Sequence, residues 1–270
     1  MAILSVNNLT IIINNKRIID KLSLNVEAGK ILSIIGPNGS GKSTLIKALT
    51  RSLKPFAGQI ELFEQNIRSY SANKLARQIA VLHQKTQAPG DLSVRDLVAY
   101  GRFPYQYWWK ENHKEDTVII DWALAETGLS LIADRPVNTL SGGEQQRAWI
   151  AMALAQQPRV LFLDEPTTFL DIAHQIEILE LITSLNKQEG ITVVMVVHDM
   201  NHAVRYSDIV AVMQRGKLYS IGQPKDIITP AMLRDVFGVE ADILQDKAGQ
   251  PFCVPTKLSA NWIAGREAAM

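Results

Sequence analysis

Ile31-Leu32-Ser33-Ile34-Ile35-Gly36-Pro37-Asn38-Gly39-Ser40-Gly41-Lys42-Ser43-Thr44 is the stretch that decides the fold. Its first five residues form a short apolar run, the pattern of a strand buried on both faces. Three glycines follow within six residues, and residues 42–50 then take up a helical pattern. Strand, glycine loop and helix in that order open a nucleotide-binding α/β unit. The glycines allow successive backbone N–H groups to turn inward around an anion. The helix adds its positive N-terminal end to the same place. Residues Gly36 to Ser43 match G-x-x-x-x-G-K-[ST] in full, with Thr44 next. In that pattern Lys42 brings a mobile point charge to the terminal phosphates and Ser43 offers a hydroxyl to Mg²⁺.

Working outward, residues 3–20 are rich in Ile, Val and Thr and are interrupted by Asn14-Asn15. They read as an antiparallel hairpin. Residues 22–26 read as a further strand and residues 28–29 as a turn. On the other side, residues 79–82 read as a strand, after which strand signals vanish between about 93 and 138. Residues 118–128 read as a helix that stops at Gly128. Alternation then returns, with strands at 160–163 and 191–197 and helices at 175–186 and 200–207. Residues 209–213 and 217–221 flank Gln214-Arg215-Gly216, a hairpin signal. From about Pro255 the chain is polar or small and reads as a tail.

Two further strings carry chemistry. Val160-Leu161-Phe162-Leu163-Asp164-Glu165-Pro166 puts two carboxylates at the C-terminal end of an apolar strand, the edge where open α/β sheets bind ligands. Asp164 is placed to hold a Mg²⁺ shell. Glu165, the next residue, points to the other side and is placed to polarise a water for in-line attack on a γ-phosphate. Leu140-Ser141-Gly142-Gly143-Glu144-Gln145-Gln146-Arg147 precedes a long helical pattern and makes a second anion-binding helix N-terminus.

With this last string the chain resembles the ATP-binding cassette (ABC) ATPases, whose signature motif it matches. The resemblance covers about residues 2–255. It implies an α/β P-loop NTPase core with an N-terminal antiparallel β subdomain and an α-helical subdomain inserted at about 93–158, leaving 256–270 as a tail. It implies further site residues. Gln84 is similar to the Q-loop glutamine, reaching Mg²⁺ and reporting to the transport partner. Asp171, in Thr167-Thr168-Phe169-Leu170-Asp171, is similar to the D-loop aspartate, and His198 to the switch histidine. The family works as head-to-tail homodimers, with ATP held between the phosphate loop of one chain and Ser141, Gly142 and Gly143 of the other. His198 then holds the γ-phosphate and the attacking water beside Glu165.

Length and composition set the bounds on this reading. At ~150 residues per domain, 270 residues suggest ~1.8 domains. Lys+Arg 28 against Asp+Glu 27 leaves a net charge of +1, which argues against a nucleic-acid binder. Cys253 is the single cysteine, so neither an internal disulfide nor a cysteine metal site is available. No leader is visible at MAILSVNN, and no apolar run reaches the ~18 residues that span a bilayer. A soluble, intracellular chain is expected. The family resemblance sharpens this to a peripheral protein on the cytoplasmic face of a bacterial membrane.

The string Gly101-Arg102-Phe103-Pro104 resembles the G-R-x-P of the subfamily serving iron–siderophore, haem and vitamin B12 uptake. The overall wording is most similar to ferric-siderophore ATPases of the ferrichrome type. The partners this implies are a second copy, integral-membrane permease subunits and, indirectly, a substrate-binding protein. Haem or vitamin B12 import stays open, and a non-transport ABC ATPase acting on DNA or ribosomes is the distant alternative. Two positions depart from the family. Ile13 stands where an adenine-stacking aromatic is common, and Phe169 where a small residue is usual. Tyr105, Tyr107, Trp108 and Trp109 read either as a permease docking patch or as ordinary packing. His83, His113, His174 and His202 lack metal-ligand spacing and read as surface or packing residues.

Overall fold

Ile31, Leu32, Ile34 and Ile35 are all buried, as is Ser33 between them, and the strand they form is covered on both faces, as its four aliphatic residues require. The computed structural model describes residues 2–83, 90–106, 113–247, 249–260 and 262. Gln84, Tyr107, Trp108 and Trp109 lie outside the described residues. In chain order the elements are β1 (Ala2–Ile13), β2 (Lys16–Glu27), β3 (Ile31–Ile35), α1 (Lys42–Leu49), β4 (Ala57–Leu62), β5 (Gln65–Asn66), α2 (Ala72–Ala76), β6 (Ile79–Leu82), α3 (Val94–Ala99) and α4 (His113–Glu126). Then come α5 (Gly142–Ala155), β7 (Val160–Asp164), α6 (Ile172–Glu189), β8 (Thr192–Val196), α7 (Met200–Tyr206), β9 (Ile209–Gln214), β10 (Lys217–Gly222), α8 (Pro224–Ile227), α9 (Pro230–Met232), β11 (Val239–Gln245) and β12 (Pro251–Leu258). The chain forms two compact units, residues 1–64 with 196–270, and residues 65–195.

The first unit begins with an antiparallel sheet in the order β2-β1-β4. Leu4 faces Val26 on one side and Leu62 on the other, and Val6 faces Leu24 and Ile60. Leu4, Leu9, Ile11, Ile19 and Leu62 are fully buried, so one face of this sheet is a hydrophobic core. Asn14 and Asn15 turn the β1–β2 hairpin with φ of 49° and 60°, a conformation asparagine tolerates. β2 is a single strand. The sequence suggests two pieces because Lys21 interrupts the pattern, yet Lys21 takes φ 48° and the ladder continues past it, as at a bulge. β4 was not foreseen, because only Ile60 and Leu62 mark it as half-buried. β3 pairs in parallel with β9. The expected β9–β10 hairpin closes at Arg215-Gly216, with φ of 48° and 77°.

The hairpin β11–β12 ends this unit. β12 runs to Leu258, three residues into the stretch read as a tail. Cys253 and Pro251 alternate inward along it, and the period-2 signal is weak because the other face is also largely apolar, with Phe252 and Leu258 exposed.

In the second unit β6 pairs in parallel with β7, Ile79 against Val160 and Leu82 against Leu163. β8 lies on the far side of β7. The chain between β6 and β7 holds α3, α4 and α5, which pack on one another through buried Leu97, Val98, Ala123, Leu124, Ala148 and Ala151. Arg102 is buried at the foot of this helical section. It donates to Asp116 at 2.7 Å and to the carbonyl of Ala155 at 2.8 Å, at the end of α5. Gly101 lies so close to the Met152 carbonyl that a Cβ would sit 2.2 Å from it. Tyr105 donates to the Gln156 carbonyl at 3.0 Å and lies under the guanidinium of Arg102. Among the described aromatics of the 105–109 cluster, Tyr105 is therefore held by its own unit.

Candidate functional site

The phosphate loop leaves β3 through residues that only glycine can be. Gly36 has φ 152°, and a Cβ there would lie 2.2 Å from the Met213 carbonyl. Gly41 has φ 103° and faces the Ile18 carbonyl. The loop is held by Ser40 N–H donating to Pro37 O and Gly216 N–H donating to Ser40 O. Lys42 is 6 % exposed. Its ammonium donates to the carbonyls of Gly36 at 2.8 Å and Pro37 at 3.1 Å, which hold the charge over the loop. The N-terminus of α1 has Gly41 as its cap and no side-chain capping bond, so its N–H groups are not consumed by a capping side chain. Ser40 Oγ is buried and has no hydrogen-bond partner among the described residues.

His198 belongs to the same unit. The N–H of Val197, the residue before it, donates to Ile34 O in β3 at 3.3 Å. His198 is therefore delivered beside the strand that feeds the phosphate loop, and it is exposed. Asp199 then caps α7 by accepting from the N–H groups of Asn201 and His202. Ile13 ends β1 and is 38 % exposed.

The carboxylates and the signature string lie in the second unit. Asp164 ends β7 and is buried. Glu165, just past the strand, takes φ 59°, an uncommon conformation for a residue other than glycine. Its carboxylate accepts from the Thr168 hydroxyl at 3.1 Å. Ser141 caps α5 in a complete capping box: its hydroxyl accepts from Glu144 N–H at 3.3 Å, and the Glu144 carboxylate accepts from Ser141 N–H at 2.8 Å. That backbone bond is the main reason the Glu144 carboxyl is held below its ordinary pKa, followed by the Ser141 hydroxyl. Asp171 caps α6, accepting from His174 N–H at 2.9 Å. The bonds from His174 likewise hold the Asp171 carboxyl low. Phe169 is 86 % exposed with φ 67°.

The sequence reads His174 as a surface or packing residue. Its ring Nδ1 lies 2.7 Å from Asp171 Oδ1, and its ring rests against Gly143, where a Cβ would meet Cδ2 at 2.1 Å. The only sequence signal was its place three residues after Asp171.

The family model for the ABC transporter matches residues 19–168. This span holds both the phosphate loop and the acidic strand end. The chain belongs to the ABC transporter family. It is 43% identical to the iron(3+)-hydroxamate import ATP-binding protein FhuC of Bacillus subtilis, over 97% of each chain. It is also 43% identical to the ferric enterobactin transport ATP-binding protein FepC of Escherichia coli, over 87% of this chain and 88% of that one. Among solved structures, a dimeric ATP-binding cassette in a post-hydrolysis state with ADP and Pi superposes with a TM-score of 0.71 at 27% identity. That match covers 82% of this chain and 98% of the other. The fold is that of an ABC ATPase cassette, and the reaction of this ABC protein is ATP hydrolysis. No helix among the described residues is long and apolar enough to cross a membrane.

Proposed function

We propose that this ABC ATPase powers a bacterial importer of ferric siderophores. The phosphate loop carries the reading. A buried lysine is held over a glycine nest whose helix has no side-chain cap, an arrangement suited to a triphosphate. The class of cargo rests on the likeness to FhuC and FepC, which cover almost the whole chain. The cassette itself, read from the sequence as residues 2–255 with a helical subdomain at about 93–158 and 256–270 as a tail, extends through the end of β12 at Leu258. It acts at the cytoplasmic face of the membrane through separate permease subunits, fed indirectly by a substrate-binding protein.

Within this reading Gly36, Pro37, Asn38, Gly39, Ser40, Gly41, Lys42, Ser43 and Thr44 wrap the phosphates of ATP. Ser141, Gly142 and Gly143 of the second copy in a head-to-tail homodimer meet the γ-phosphate from the other side, with Asp171 beside them. Two helix ends and one ammonium then neutralise one triphosphate. Ser43, Gln84 and Asp164 offer a hydroxyl, a carboxamide and a carboxylate, the hard oxygen donors that Mg²⁺ prefers. Bound there, the ion would neutralise charge on the phosphate oxygens. Glu165 accepts the proton of the attacking water as general base, and His198 orients that water and the γ-phosphate.

Glu165→Gln tests the mechanism. Nucleotide affinity is expected to stay within a few-fold, while turnover falls by at least about 10²-fold; turnover close to wild type removes Glu165 from the role. Deletion of the gene tests the cargo. Uptake of radiolabelled iron as a hydroxamate or catecholate siderophore should be lost and return with the wild-type chain but not with Glu165→Gln. Undiminished uptake of every ferric siderophore tried would count against siderophore import.

A further inference from the structure

Three observations in the second unit meet at one side chain. Asp171 Oδ1 receives both His174 N–H and the His174 ring at Nδ1. An ionised carboxylate only accepts, so Nδ1 carries the proton and donates. The same ring fills the place a Cβ would take on Gly143, with Cδ2, Cγ and Nε2 the nearest atoms. One turn further along α5, Arg147 donates to Glu177 of α6 at 3.0 Å. Residues four and three apart share a helix face, so Gly143 with Arg147 and His174 with Glu177 make two rungs joining α5 to α6. The first rung is packed tightly on buried Gly143, and the second is a partly exposed ion pair, which contributes little by itself.

We propose that His174 is a positioning residue that locks Asp171 to Gly143, so that the aspartate and the signature glycines are presented to nucleotide as one element. This rests on the reading that Ser141–Gly143 and Asp171 serve the site across the dimer. The ring supplies two constraints at once. Its edge sets the distance between α6 and the start of α5, and its Nδ1–H fixes the Asp171 carboxylate. Glycine at 143 follows from the ring, because any side chain there would have to displace it. A loosened rung leaves the phosphate loop untouched and affects only the step that needs the signature in register, where small misplacements are costly.

The experiment measures kcat, KM and thermal unfolding of full-length variants, together with binding of a fluorescent ADP that reports on the phosphate loop. His174→Ala removes both contacts. It is expected to lower kcat about tenfold or more while the affinity for fluorescent ADP stays within about twofold. His174→Asn keeps a donor where Nδ1 was and an atom where Cδ2 was, and is expected to restore kcat to within about threefold of wild type. His174→Leu keeps bulk without the donor and serves where alanine fails to fold; it too should turn over slowly. Wild-type kcat in the alanine or the leucine variant overturns the proposal, as does an asparagine variant no faster than alanine. Lys42→Ala is run beside them. If it hydrolyses ATP like wild type, the phosphate-loop reading fails. If it is inactive while His174→Ala turns over normally, the positioning role alone fails.

Discussion

The two helix N-termini assigned to phosphate are built in opposite ways. The start of α1 has a glycine cap at φ 103°, no acidic residue in its first turn and no side-chain capping bond from its cap residue. The start of α5 is closed on itself, with Ser141 and Glu144 satisfying each other's backbone N–H groups and a carboxylate in the first turn. Capping of this kind satisfies donors that would otherwise need water or a ligand. The first terminus is therefore kept in shape by the surrounding protein, with Met213 and Ile18 carbonyls against its glycines. The second keeps its shape by itself. A terminus that carries its own cap suits a group that meets its ligand only part of the time, as the signature does if it reaches nucleotide from a second chain.

The largest test of this contrast is the cation. Lys42 is the buried ammonium of the first terminus, and its two carbonyl partners belong to the loop itself. Lys42→Ala is expected to weaken ATP binding to the isolated chain and to cut turnover by about 10²–10³-fold, the range seen for losing one preorganised electrostatic group. Ser141→Ala, on the second terminus, should leave single-chain nucleotide affinity unchanged. Equilibrium binding of a fluorescent nucleotide decides between them, and equal losses in the two variants would erase the distinction.

Backbone constraint gives the next test. A Cβ on Gly36 would lie 2.2 Å from a carbonyl of β9, at φ 152°; a backbone atom cannot step aside and the dihedral is itself unfavourable. A Cβ on Gly143 would strike a side chain, the His174 ring, at a helical position with no positive φ. Gly36→Ala is expected to cost about 2–3 kcal/mol of stability along with nucleotide binding. Gly143→Ala should cost less stability, keep the affinity of the phosphate loop and lose turnover. Denaturant titration with ADP binding reads both. A Gly143→Ala protein as unstable as Gly36→Ala would mean that α5 is pinned as rigidly as the loop.

The same contrast explains what could be read from the amino acids. The first terminus is local: Gly36 to Thr44 are adjacent in the chain, and each glycine answers to a requirement of its own turn. The acidic end of β7 and the capping pair Ser141–Glu144 are local too, three residues apart, a spacing that marks a helix start. The parts not legible depend on distant partners. His174 and Gly143 are 31 positions apart, and neither residue type announces that one ring replaces the other's Cβ. β4 carries too few apolar positions to declare a period and β12 carries them on both faces, and both exist because β1 and β11 supply the ladder. The unity of β2 depends on Lys21 adopting a backbone conformation its side chain does not favour.

The smallest effect expected is electrostatic and separates the termini by sign. Glu144 places a negative charge in the first turn of α5, where the helix dipole favours it, and its pKa is lowered chiefly by the Ser141 N–H. A group whose folded pKa lies below its unfolded value contributes stability above the unfolded value. It loses that contribution as pH falls through the folded one. Glu144→Gln keeps an acceptor for the capping box and removes the charge. At neutral pH the variant should melt about 1–3 °C below wild type, the shift expected for a few tenths of a kcal/mol up to about one at this chain length. The gap should close as pH drops below the ordinary carboxylate range, and it should narrow in high salt because the group is partly exposed. No acidic residue stands in the first turn of α1, so that terminus has no carboxylate through which to show the same pH profile. A gap that persists in acid would mean that the carboxylate stabilises α5 through shape and not through charge, and the two termini would then differ only in how they are packed.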